Sequence, residues 1–181
     1  MWQRLFRALF PNDSTAVAQA ENPEGFYVYR VRLPEGIKDV MSLAPDAFEA
    51  GLRPEAIIGV FTEPVERGAG LAVANFRPNT VFVELLHDVV ATQAPTLPDL
   101  QAEARRQGSG RVYVIDARTP TPEDQVPPED IIGGFEVKDG AVVPGSYQAG
   151  PKHQIFSSRG LFKLEPTLHA RLMERLTKSR P

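Results

Sequence analysis

The chain has 181 residues, 42 % of them hydrophobic and 24 % charged, a composition that supports a packed core. Its net charge of −3 supplies no basic field for nucleic acid or an anionic membrane. The absence of cysteine excludes disulfide scaffolds, thiolate metal sites and cysteine nucleophiles.

Trp2, Leu5, Phe6, Leu9 and Phe10 recur at helical spacing opposite Gln3, Arg4 and Arg7, which predicts a short amphipathic helix ended by Pro11. The segment has no continuous apolar core and no small-residue cleavage site, so it does not read as a secretory signal. No apolar run approaches the ~20 residues of a bilayer span. Residues 12–25 are small and polar and read as a linker or a weak helix. We therefore expect residues 1–24 to form a helix and linker, and residues 25–181 a single domain.

Gly25–Leu33 (GFYVYRVRL) alternates and is rich in aromatic and β-branched residues, a strand pattern. Pro45–Ala50 reads as a short helix closed by Gly51, and Ala56–Thr62 as a strand. Gly70–Phe76 fits either state. Asn79 reads as an N-cap for a helix whose apolar face is Val81, Phe82, Leu85, Leu86, Val89 and Val90. A second helix is expected from Thr96 as N-cap to Gly108 as stop. Arg111–Asp116 and Ile131–Val137 read as strands, and Asp139-Gly140 as the turn of a hairpin into Ala141–Tyr147. Two short strands follow in HQIFSS and GLFKL. Leu168, Leu172, Met173 and Leu176 predict a last helix with Pro166 in its first turn. Helices gather in the middle and strands after them, so the expected class is α+β in preference to a doubly wound sheet.

Between the strands ending at Asp116 and beginning at Ile131 lie four prolines and the acids Glu123, Asp124, Glu129 and Asp130. The span is either a stiff solvated crossover or a loop holding a catalytic carboxylate beside a cleft. With Asp116 these acids offer oxygen ligands for a hard cation, but at spacings that match no calcium loop, and no metal is expected. No phosphate-loop, nucleophile-elbow or metalloprotease motif occurs. His87 and His169 fall in expected helices and read as edge residues. His153, in a loop beside Lys152, is the best placed of the three for a site. Arg30 follows Tyr29 in a strand whose Phe26, Val28 and Val31 read as buried. Such an arginine needs an anionic partner. The partner is either a structural carboxylate such as Glu84 or Glu136, or a phosphate held by both ends of the guanidinium.

The order of these motifs resembles the cholera-like and pertussis-like branch of mono-ADP-ribosyltransferase toxins. The matching pieces are the Tyr29-Arg30 strand with Leu33-Pro34-Glu35 after it, then Phe48–Pro54 (FEAGLRP), then Val112–Asp116 (VYVID) and the P-P-E-x-I step of Pro127–Ile131. The resemblance implies an ADP-ribosyltransferase-like α+β fold, with a split antiparallel or mixed sheet and a few helices around an NAD cleft. Arg30 would hold the phosphates. Glu123 would stabilise the oxocarbenium ion as nicotinamide leaves. Tyr29, Phe76 or Tyr147 would stack on a ring of the dinucleotide. The family's Ser-Thr-Ser strand has no counterpart, since Ala74–Asn79 reads ANFRPN, and its paired Glu/Gln-x-Glu is missing. Glu129–Gly140 and Pro144–Gln148 also resemble uncharacterised bacterial proteins, which bring no function.

Three readings follow. One is an NAD-dependent ADP-ribosyltransferase-like bacterial toxin or effector that modifies a macromolecular target. It would be cytoplasmic or delivered by a specialised secretion system. The second is a non-catalytic protein-binding module, such as a degenerate relative, an immunity protein or an adaptor, with a protein target or cognate binding protein as partner. The third is an enzyme of another class, for instance a nuclease or hydrolase using Asp116, Arg118 and His153.

Overall fold

The computed structural model describes residues 17–21, 25–33, 36–45, 47–48, 53–66, 70–119 and 126–178. The expected N-terminal helix lies outside them. So do three residues of the expected Pro45–Ala50 helix, whose Pro45, Ala47 and Phe48 lie in turns, and Glu123 with its immediate neighbours. The chain is α+β: strands pair antiparallel throughout, and three α-helices are present among the described residues. No described helix is long and apolar enough to cross a membrane.

The chain divides into two compact units, residues 1–83 with 175–181, and residues 84–174. The first holds a five-stranded meander, β1 (Val17–Glu21), β2 (Tyr27–Leu33), β3 (Gly36–Ser42), β4 (Ile57–Phe61) and β5 (Phe76–Pro78), in that spatial order. β1 occupies the stretch expected to be a linker. Its sequence, VAQAE, has little strand propensity, and it pairs through the backbone with the edge of β2. β2 buries residues on both faces, Val28 on one and Tyr29 and Val31 on the other. A cluster of Tyr29, Val31, Val40, Ala44, Ala47, Ala56 and Ile57 packs beneath it. The Tyr29 hydroxyl lies 3.0 Å from Ala44 O and 2.5 Å from Pro45 O, so it ties down the chain leaving β3.

Helix α1 (Thr80–Gln93) starts where Asn79 directs. Its side-chain oxygen accepts from Val81 N at 3.2 Å, and its amide donates to Pro54 O and Ile57 O at 2.6 and 2.8 Å. One residue thus caps the helix and fastens it to the turn before β4.

The second unit holds helix α2 (Pro98–Gln107) and a sheet of β6 (Gly110–Ile115), β7 (Ile131–Lys138) and β8 (Ala141–Val142), with β9 (Gln148–Ala149) also on β7. A small hairpin of β10 (Phe156–Ser157) and β11 (Gly160–Leu161) follows. Helix α3 (Pro166–Lys178) begins in this unit, its first turn capped by Glu165, which accepts from Thr167 N and Leu168 N at 2.9 and 3.1 Å. α2 starts after Leu97, not Thr96: Pro98, with no N–H to lose, takes the first turn, and the Thr96 hydroxyl donates to Gln93 O instead. Gly108 (φ 75°) ends α2 as expected. Asp139 (φ 52°) and Gly140 (φ 74°) make the β7–β8 turn, both left-handed, as a tight hairpin requires.

Candidate functional site

Three settings in the structure bear on function, and the residues singled out in the sequence fall mainly into the first two. The first is the Arg30 region. Antiparallel pairing of β2 and β3 places Arg30 directly opposite Asp39. The guanidinium grips that carboxylate with both ends, Nε to Oδ1 at 2.8 Å and NH2 to Oδ2 at 2.9 Å, and also donates to Val65 O at 3.0 Å. Val65 N donates to the same carboxylate at 2.5 Å. Asp39 is 1 % exposed and Arg30 40 %. The anionic partner that Arg30 needs is therefore supplied from within the sheet, by neither Glu84 nor Glu136. The hydrogen bond that Arg30 donates to the Asp39 carboxylate raises the Arg30 pKa.

Tyr29 precedes it, 4 % exposed, with its ring edge-on to Phe48 at 4.8 Å. Phe76 is 5 % exposed and meets Phe61 edge-on at 5.4 Å. Its ring lies where a Cβ on Gly59 would stand, which is why β4 carries glycine there. Both aromatics are filled into the packing of the first unit. Tyr147 belongs to the second unit. Its ring lies over Gly133 and against Phe135 at 5.1 Å, and its hydroxyl meets His87 Nδ1 at 2.8 Å. Burial pushes the Tyr147 hydroxyl pKa up and the His87 pKa down.

The second setting is a buried charge network at the end of β6. Asp116 (0 % exposed) accepts from Arg118 N and Lys163 N, each at 2.9 Å. It also meets the Arg118 guanidinium at 2.9 Å and His153 Nε2 at 3.3 Å. Burial alone would raise its pKa. The hydrogen bonds from His153, Arg118 N and Lys163 N, with the Arg118 charge, outweigh it and hold the carboxyl below its ordinary value. Arg118 goes on to donate to Ser157 Oγ at 2.8 Å and Gln154 O at 2.7 Å, and pairs with Asp130 at 3.3 Å. Asp130 also takes the Thr119 hydroxyl and Arg159, each at 2.5 Å. The Asp116, Arg118 and His153 named together from sequence are therefore in contact. They are also sealed, at 0 %, 2 % and 3 % exposure, with no face left for a substrate. Their chemistry is structural: every charge removed from water meets an opposite charge. No group of three or more residues placed to hold a metal ion occurs among the described residues.

The third setting is a groove of about 510 Å³ on the second unit, within the range of ligand sites. Alternation along β6 buries Val112 and Val114 and leaves Arg111 and Tyr113 outward. Tyr113 is 50 % exposed, its ring lying over Gly134 of β7. Gly133, Gly134 and Gly150 line the groove, Pro128 and Ile131 contribute one end, and Lys152 stands on its rim. A Cβ at any of these glycines would strike an aromatic ring or backbone, so small residues are required. These lining residues were missed in the sequence. The signal was a glycine pair inside the expected strand Ile131–Val137, which marks close approach of another group.

Glu123, the expected catalytic acid, lies outside the described residues. Tyr29, Arg30 and Phe76 belong to one unit and Tyr147 to the other. No family model, no curated protein and no solved structure matches this chain.

Proposed function

We propose that this chain works as a non-catalytic protein-binding module. The observation that carries this is the commitment of Arg30. Both ends of its fork hold Asp39, a carboxylate with almost no access to water. A diphosphate arriving at Arg30 would have to displace Asp39 and leave a buried charge without its partner, a costly state. Tyr29 and Phe76 are likewise used in packing.

A second reading keeps the resemblance: an NAD-dependent ADP-ribosyltransferase-like effector, with Arg30 on the phosphates and Glu123 at the ribose. What favours it is that Arg30 stays 40 % exposed and so can be reached from solvent.

Calorimetry of the full chain with NAD separates the two. For a binding module, millimolar NAD gives no saturable heat and no rise in melting temperature. Saturable binding that is lost in both Arg30→Lys and Arg30→Ala overturns the module reading, because ligand bound only to the native state must raise its stability. The lysine variant keeps the charge and removes the fork, so it guards against loss of folding in the alanine variant.

A further inference from the structure

The groove on the second unit is lined by an aromatic wall and two cations. We propose that it docks an extended acidic segment of a partner protein, a deepening that rests on the binding-module reading.

Charge gives the first argument. Arg111 and Lys152 line the groove, no carboxylate lines it, and neither cation forms an ion pair among the described residues. Glu136 stands opposite Arg111 in the β6–β7 register but does not close on it. This pair of positive charges sits in a chain whose net charge is −3. Two cations match one or two acids. A nucleic-acid backbone calls for a longer run of them.

Shape gives the second. The half-exposed Tyr113 offers a flat apolar wall, and Pro128, Ile131 and Pro151 extend it, so one apolar side chain can lie between the acids. Aromatic rings of this kind are preferred anchors in protein interfaces.

The test is NMR on the ¹⁵N-labelled full chain, titrated with a pool of capped peptides bearing Phe, Leu or Val between pairs of Glu. Saturable shifts of the Gly133, Gly134 and Gly150 amides are expected. The affinity should weaken as salt rises, and fall roughly tenfold in Arg111→Gln/Lys152→Gln with the melting temperature unchanged. Three results overturn the proposal: no shift at millimolar peptide, equal binding of the Gln-for-Glu pool, or a single-stranded oligonucleotide moving the same amides at lower concentration. NAD added to a parallel sample reports separately. Shifts at Tyr29 and Arg30 overturn the module reading itself. Silence at both places overturns only the docking of acidic segments.

Discussion

Each unit holds an arginine facing a fully buried aspartate, yet the two centres are built differently. Arg30 lies across a two-strand register from Asp39 and keeps 40 % of its side chain in solvent. Arg118 is 2 % exposed and gathers Asp116, Asp130, Ser157 and three backbone carbonyls, those of Glu129, Gln154 and Gly160. The difference lies in what water can do when one partner is removed. At Arg30 it can hydrate the abandoned cation. At Arg118 it cannot reach, so the charge stays buried and uncompensated. The same pair of residue types is thus a local staple in one unit and a junction in the other.

Four measurements break or sharpen this contrast. Asp116→Ala should cost about 3–5 kcal/mol in urea unfolding, because it strands a sealed guanidinium. A loss no larger than that at Asp39 would remove the distinction. Gly133→Ala should cost about 1–3 kcal/mol, since the added methyl meets the Tyr147 ring and the site is already full. Asp39→Ala should stay near the lower end of about 1–3 kcal/mol, the cost of the unsatisfied Val65 N–H, with Arg30 turning to solvent. Arg111→Gln, in the open groove, should change stability by less than about 0.5 kcal/mol.

A pH series adds the sign. His87 has a folded pKa below its ordinary 6.5, first through burial and then through repulsion from His153. Its stabilisation is present above pH 6.5 and is lost as pH falls through the folded value. Asp116 is likewise depressed below 3.8, so its contribution holds above that pH and disappears at lower pH as the carboxylate protonates. Thermal melts should decline in two steps on acidification. In His87→Phe the upper step should vanish and the lower remain.

Much of the fold was legible because its signals are local. Alternating β-branched and aromatic residues mark β2, β4, β6 and β7. Asn79, Gly108, Asp139-Gly140 and Pro166 mark element ends by their own backbone chemistry. What depends on pairing was not legible. β1 owes its conformation to the edge of β2. The partner of Arg30 is nine residues away because the β2–β3 register brings it opposite, whereas sequence reasoning sought it in Glu84 or Glu136. Asp116, Arg118 and His153 were noticed as a chemical set, but their burial is a property of the packed hairpin above them. Exposure, which separates a site from a staple, is not written in residue type.

The network at Asp116 closes the proline-rich span at its base. Asp116 N donates to Asp130 O at 2.8 Å, and Arg118 and Thr119 on one side hold Asp130 on the other. β6 and β7 beyond it are laddered along their length. The chain on either side of residues 120–125 is therefore joined by bonds that do not depend on the covalent link. That span is a natural place to split the protein: fragments 1–119 and 126–181, expressed separately, should find each other and rebuild the sheet across the cut.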